Sequence, residues 1–262
     1  MKSELLPLQK GIVYGPVRSR RLGNSLGINV SPSEIKLCSM DCRYCQYSWT
    51  GLHVGNAERF RGILPEPGDV ASELRKALSS AAKRKIRVDS ITFSGNGEPT
   101  LHPDFPEIVD SVIAVRDSFA PGAKIVCLSN STTLGNERIF EALKRIDIPV
   151  MKLDAGGDDI FRKLNMPSCR VSFEEIVAGL EKFEGGLTIQ SLFVRGDVDN
   201  CGKGAVGNYV AALKRIRPRE LQIYTLDRVP AEAGLAPVPA IRLKEIKKVV
   251  EREVKIPAVV YS

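Results

Sequence analysis

The chain has no run approaching the roughly 18 to 20 consecutive apolar residues that cross a bilayer. Its opening, MKSELLPLQKG, lacks the apolar core of a signal peptide, so a soluble cytoplasmic protein with no membrane partner is the expectation. Internal repeats and low-complexity tracts are also missing. Histidine is scarce: His53 and His102 each stand outside any metal-ligand spacing. The glycine-containing stretches GGLTIQ and GKGAVGNY match neither a dinucleotide fingerprint nor a phosphate-binding P-loop, so no flavin or nicotinamide motif is present. An aromatic-plus-basic base-stacking platform is absent too.

What is present suits one α/β domain. The 262 residues are 43% hydrophobic and 26% charged, enough to bury an extensive core. Lysine and arginine number 38 against 31 acidic residues, and the net +7 tolerates anionic partners without naming nucleic acid. Apolar runs of strand length lie at 26–31, 88–94, 124–129, 150–154, 187–194 and 220–226. They alternate with amphipathic stretches at 68–84, 104–119, 136–146, 172–184 and 207–217, and a helix over 242–254 closes the chain. Such alternation pairs strands in parallel, because each crossover takes a dozen or more residues. Residues 1–262 therefore read as a single domain, with a core at about 22–230, an N-terminal lead and a C-terminal helix. Pattern leaves a partial (β/α) barrel and an open doubly wound sheet equally allowed, and in both, ligands gather beyond the C-terminal strand ends. The stretch 41–66 is long for a loop in such a fold, which points to function.

The six cysteines are unevenly distributed. Cys38, Cys42 and Cys45 fall within CSMDCRYC, directly after the first predicted strand, whereas Cys127, Cys169 and Cys201 are scattered. A secreted scaffold would spread its bridges, and cysteines three or four apart are poorly placed to pair. A reduced compartment with a local metal site fits better. Structural zinc sites usually come as two ligand pairs, and the second pair is missing here. Three thiolates without a fourth suit a four-iron cluster with one iron open to a ligand. The alternatives are a closed iron–sulfur or zinc protein that recruits Cys169, Cys201 or His53, and a chance cluster. Cys127, inside an apolar strand, reads as a small core residue.

The spacing Cys-x3-Cys-x-aromatic-Cys, with Tyr44 before the last cysteine, resembles the signature of the radical S-adenosylmethionine (SAM) superfamily. The resemblance implies a [4Fe-4S] cluster on the three cysteines and SAM chelated to the fourth iron. It also implies reductive cleavage of SAM to a 5′-deoxyadenosyl radical, driven by an external donor such as flavodoxin or ferredoxin. ITFSGNGEPTL (91–101) places Gly95, Asn96, Gly97 and Glu98 just past the second predicted strand. An ordinary glycine-rich turn would look the same, but beside the cysteine loop it resembles the superfamily's Gly-Gly-Glu motif, which binds the SAM amino group. Asn96 departs from that motif by separating the glycines. Residues 15–32, the SGNGEPTLHPDF stretch, VMKLDAG (150–156) and QIYTLDRVPAE (222–232) together resemble stand-alone members similar to the tRNA wyosine-synthesis enzyme, 4-demethylwyosine synthase. That likeness implies a partial (β/α)6 barrel of the TIM type.

At the predicted strand ends, Ser129, Asn130, Asp154 and Gln190 are the further candidates for holding SAM or substrate, with Tyr44 flanking the adenine. Asn130 could equally cap a turn, and Asp154 could satisfy buried backbone donors. A polar Gln190 inside a barrel needs a ligand, water or partner. Arg18, Arg20 and Arg21 read as solvated charge or as an anion site, and 242–255 as a packed amphipathic helix. For the substrate, tRNA modification and hydrogen abstraction from a glycine of a partner protein both stay open.

Overall fold

The computed structural model describes residues 5–261. In chain order the elements are β1 (Val13–Ser19), β2 (Gly23–Ile28), β3 (Leu37–Cys38), β4 (Leu52–His53), α1 (Pro67–Lys83), β5 (Ser90–Phe93), α2 (Phe105–Phe119), β6 (Lys124–Ser129), α3 (Glu137–Lys144), β7 (Ile148–Lys152), α4 (Asp158–Leu164), α5 (Phe173–Glu181), β8 (Thr188–Gly196), α6 (Lys203–Ile216), β9 (Glu220–Thr225), β10 (Leu235–Pro237), α7 (Ala240–Glu253) and β11 (Ala258–Tyr261).

The six expected strands are β2, β5, β6, β7, β8 and β9, each parallel to the next. Side chains along them alternate between two faces. Ile91, Phe93, Ile125, Cys127, Ile189, Phe193, Leu221 and Ile223 join the helices in one core. Phe93 meets Phe105 of α2 edge-on with ring centroids 5.4 Å apart, and Phe193 meets Tyr209 of α6 at 5.5 Å. Between these residues, Thr92, Lys152, Gln190, Gln222 and Tyr224 take the opposite, inner face, where Ser25 and Thr92 share a 2.7 Å hydrogen bond. Helix starts follow local chemistry: Pro67 opens α1, Asn136 caps α3, and Ser172 and Glu175 form a capping box on α5.

Five strands fall outside the sequence reading, and of these β3 and β4 form a separate parallel pair. β1 lies antiparallel to β2, β11 parallel to β9, and β10 antiparallel to β8. The lead is thus partly a strand, and the chain ends in a strand beyond its last helix. The sheet runs β1-β2-β5-β6-β7-β8-β9-β11, so β1 and β11 are its two edges. Yet the Arg21 guanidinium, in the β1–β2 turn, lies 5.7 Å from the Tyr224 ring centroid and 5.8 Å from that of Tyr261 on β11. The sheet therefore curls until its edges nearly meet, which is the partial (β/α)6 barrel. Stretch 41–66 also carries structure, namely β4 and a 3₁₀ turn at Glu58–Ile63.

Candidate cluster and cofactor site

The cysteine loop leaves the C-terminal end of β2 and is held on several sides. At its start, Leu37 forms a parallel bridge with Gly97. The Leu37 amide donates to the Asn96 carbonyl (3.0 Å) and the Glu98 amide to the Leu37 carbonyl (3.1 Å). On the next side, the residues after α4 run along the loop. The Asp41 amide donates to the Met166 carbonyl (3.0 Å), Arg43 to Leu164 (3.1 Å) and Ser168 to Ser39 (2.9 Å). From the segment after β9, the Glu232 amide donates to the Arg43 carbonyl at 3.0 Å, and the two side chains pair at 3.0 Å. Within the loop, Cys45 N–H closes on the Cys42 carbonyl (2.9 Å) and Ser48 N–H on the Cys45 carbonyl (3.1 Å).

All six cysteines are free thiols. The Asn130 amide Nδ2 donates to Cys38 Sγ, and that of Asn165 to Cys42 Sγ, both at 3.5 Å. Burial pushes the Cys38 thiol far up and that of Cys42 to about 11, so a bound cation is needed to hold either as a thiolate. Among the described residues, no three of His, Cys, Asp and Glu converge as a single metal ion requires. Of the other cysteines, Cys127 is fully buried in β6, Cys201 N–H bonds Asp199, and the Cys169 Cβ packs at Gly55. His53 sits opposite Cys38 in the β3–β4 pair, with Nε2 3.8 Å from the Asp41 carboxylate. Three thiols on one turn, two of them receiving amide N–H groups, fit the thiolate side of an iron–sulfur cluster, whose sulfurs commonly accept such bonds.

Below the loop, Asp154 gathers four donors. Tyr44 Oη and Asn165 Nδ2 (2.9 Å) reach Oδ2, while Lys152 Nζ (2.8 Å) and the Leu192 amide (2.7 Å) reach Oδ1. Lys152 also donates to Tyr224 Oη at 2.6 Å and lies 4.6 Å from the Tyr224 ring centroid and 5.0 Å from that of Tyr44. Tyr224 Oη continues to Gln190 Oε1 (3.1 Å), and Gln190 Nε2 to Gln222 Oε1 (3.4 Å). Burial opposes the Lys152 charge, but the adjacent Asp154 outweighs it and raises the ammonium pKa; burial raises Tyr44 and Tyr224. A protonated lysine is thus locked inside the barrel by its carboxylate. Gln190, which needed a partner, has two within the protein.

In the second motif, Gly95 (φ +131°) and Gly97 (φ +140°) adopt backbone that only glycine takes readily. The Asn96 side chain, 0% exposed, accepts from the Gln9 amide (2.7 Å) and donates to the carbonyls of Gln9 (2.8 Å) and Pro32 (2.9 Å). Glu98 Oε1 accepts from Thr100 N (3.1 Å) and Oγ1 (2.5 Å), and Oε2 from the Asn130 amide (2.5 Å). Burial raises the Glu98 pKa against these hydrogen bonds. Asn96 and Glu98 therefore tie the motif to its neighbours, and the glycines bring its backbone against the cysteine loop. Ser129 Oγ accepts from the Ser131 amide (3.1 Å), and Asn130 Nδ2 also donates to Ser39 Oγ (3.0 Å).

Sequence reasoning missed Lys152, Asn165 and Tyr224. Lys152 and Tyr224 were detectable as polar residues two positions from Asp154 and Gln222 on the same strand face. Asn165 ends α4, a helix that the apolar pattern did not reveal.

Fold and site together define a barrel carrying a thiol-rich centre at the C-terminal ends of its strands. The family model described as "Radical SAM superfamily" matches residues 35–189, and the chain belongs to that superfamily. A UPF0026 protein of Helicobacter pylori is 30% identical over 224 residues, which is 83% of this chain and 67% of that protein. A Brachyspira hyodysenteriae protein described as GTPase Obg is 29% identical over 254 residues, and the chain spans 35% of its length. Among solved structures, a radical SAM methyltransferase from Sphaerobacter thermophilus superposes with a TM-score of 0.67 at 15% identity, covering 90% of this chain and 65% of that one. Streptococcus suis SuiB bound to S-adenosylmethionine superposes at 0.60 and 14%, covering 90% and 50%. At these identities the likeness is one of fold.

Proposed function

We propose that this chain is a SAM-cleaving enzyme with a [4Fe-4S] cluster on Cys38, Cys42 and Cys45, acting in tRNA base modification. The observation that carries it is the clasped cysteine loop: three free thiols sit on a loop whose first residue, Leu37, is bonded to the backbone of Asn96–Glu98 at the mouth of a polar barrel. When bound, the cluster supplies an electron that cleaves SAM to methionine and a 5′-deoxyadenosyl radical able to take hydrogen from substrate.

The chain's own residues position and shield. The backbone of Gly95 and Gly97, packed against Asn29 and Leu37, would meet the methionine end of SAM. Asn96 and Glu98 hold that backbone, and Ser129 and Asn130 form the adjoining wall. Tyr44, tethered to Asp154, keeps its ring fixed to flank the adenine. Lys152, Tyr224 and Gln190 line the inner face on which substrate would rest. Reduction falls to an external flavodoxin or ferredoxin, since the sequence carries no flavin or nicotinamide motif. The tRNA reading is supported by the segments similar to the wyosine enzyme and by the +7 charge.

The test is anaerobic reconstitution with iron and sulfide, addition of SAM and dithionite, and quantification of 5′-deoxyadenosine with and without unfractionated tRNA. Product that is lost in Cys42→Ala and stimulated by tRNA is the expected result. If no product forms and SAM leaves the paramagnetic resonance spectrum of the reduced protein unchanged, the enzymatic reading falls. Product indifferent to tRNA would remove the RNA assignment alone, and a partner-protein glycine would then be tested.

A further inference from the structure

Lys36 is an unusual lysine. It is 5% exposed, and long cationic side chains are seldom buried unless paired. Both ends are pinned. Its carbonyl accepts from the amides of Gly51 (3.1 Å) and Leu52 (2.9 Å), and its ammonium donates to the Ser48 carbonyl at 2.7 Å. Ser48 itself sits at φ +65°, a conformation that L residues seldom adopt, so the turn after the third cysteine is shaped to receive the ammonium. Among the described residues no carboxylate pairs with Lys36. The Ser48 carbonyl that holds its ammonium belongs to the residue whose amide closes on the Cys45 carbonyl (3.1 Å), so the ammonium lies at the turn that carries the third cysteine. The loop's own carboxylate, Asp41, is engaged elsewhere, by the Thr50 amide (2.7 Å) and His53 (3.8 Å).

A buried ammonium held by a neutral carbonyl and no carboxylate is costly, and a negative charge must lie beside it in the working protein. The three cysteines are the group that can supply that charge. We propose that Lys36 is the resident counter-cation of the iron–sulfur centre, a positioning residue whose fixed charge favours loading of the anionic cluster and makes it easier to reduce. This rests on the assignment of the cluster to Cys38, Cys42 and Cys45. A positive charge close to a redox centre stabilises the state with one more electron, so its removal lowers the reduction potential. The reaction read is the transfer of one electron from dithionite to the oxidised cluster.

The test compares wild type, Lys36→Gln, Lys36→Met and Lys36→Arg as reconstituted full chains, without SAM. Iron and sulfide content, and the reduced-cluster paramagnetic signal against a series of redox dyes, are the readouts. Lys36→Gln keeps a donor for the Ser48 carbonyl and removes only the charge. The expected result is at least a tenfold lower ratio of reduced to oxidised cluster at fixed potential in both neutral variants, a shift of about 59 mV for one electron. Lys36→Arg should stay near wild type. If the neutral variants fold by circular dichroism but do not load, and Lys36→Arg does, the counter-charge is again supported. Loaded neutral variants with unchanged potential overturn the proposal, and so does equal failure of the arginine variant, which assigns Lys36 to packing. Failure of the cluster assignment itself shows separately, because wild type would then carry no more iron than Cys42→Ala.

Discussion

The Leu37 carbonyl oxygen lies 1.7 Å from the point where a Cβ on Gly97 would stand. This contact is the seam along which the cysteine loop is sewn to the second motif. It explains why glycine, at φ +140°, occupies a position whose backbone amide and carbonyl neighbours bond Leu37 on either side.

Gly97→Ala is therefore expected to be severe. The new methyl meets backbone that cannot swing aside, and the loop must part from the motif or the strand must shift. The cost should exceed about 4 kcal/mol, the range reserved for identifiable structural conflicts. Thermal unfolding and iron content after reconstitution measure it. Gly68→Ala is the control: nothing lies within 4 Å of its Cβ position, and alanine in a helix should be neutral or stabilising by up to about 1 kcal/mol.

The Asp154–Lys152 pair gives a second prediction. Both side chains are withdrawn from water, at 0% and 16% exposure, and the carboxylate has four donors. Asp154→Asn turns one acceptor oxygen into a donor among donors and strands the lysine charge, which should cost about 3–5 kcal/mol. Adding Lys152→Met removes the stranded charge. The double variant should be less destabilised than the sum of the singles by about 0.5–3 kcal/mol in chemical denaturation. Additive losses would show that the two groups do not act as a pair.

Much of this architecture is legible in the sequence, and the limits have physical causes. The inner strands stand out because helices cover one face and the barrel interior the other, leaving continuous apolar runs such as KIVCLS. β1 is hidden because its VYGPVRS carries glycine, proline, arginine and serine and pairs on one side only. α4 is two turns long, too short for a period to register. The cysteines and glycines are visible because their chemistry is local. Lys36 and Asn165 belong to the site through contacts made across the fold, and no local spacing announces them.

His102 supplies a pH prediction. Its Nδ1 accepts from the Asp104 amide (3.0 Å), and Nε2 faces the Pro65 carbonyl (3.0 Å), an arrangement suited to the neutral ring. Burial lowers its pKa below the usual value. The unfolded chain then binds the proton more readily than the folded one. This contribution to stability is complete above about pH 6.5, the ordinary histidine value, and declines as pH falls below it toward the folded pKa. The gap between the denaturation midpoints of wild type and His102→Gln should be widest above about pH 6.5 and narrow as pH falls below it. A gap that widens on acidification would reverse the assigned ring state.

Arg21 tests how the barrel closes. β1 and β11 share no ladder, so the approach of the two edges depends on side chains, and the Arg21 guanidinium lies against rings from both β9 and β11. Each half-exposed contact of this kind contributes about 0.5–1 kcal/mol. Arg21→Ala should therefore lower stability by about 1–2 kcal/mol and act mainly at the edge. Amide exchange should quicken in β11 and the β1–β2 hairpin, while β5, β6 and β7, paired on both sides, keep their protection. Uniformly faster exchange across all strands would mean that the seam is part of the global folding unit. Unchanged exchange at β11 would mean that the hydrogen bonds to β9 hold that edge unaided.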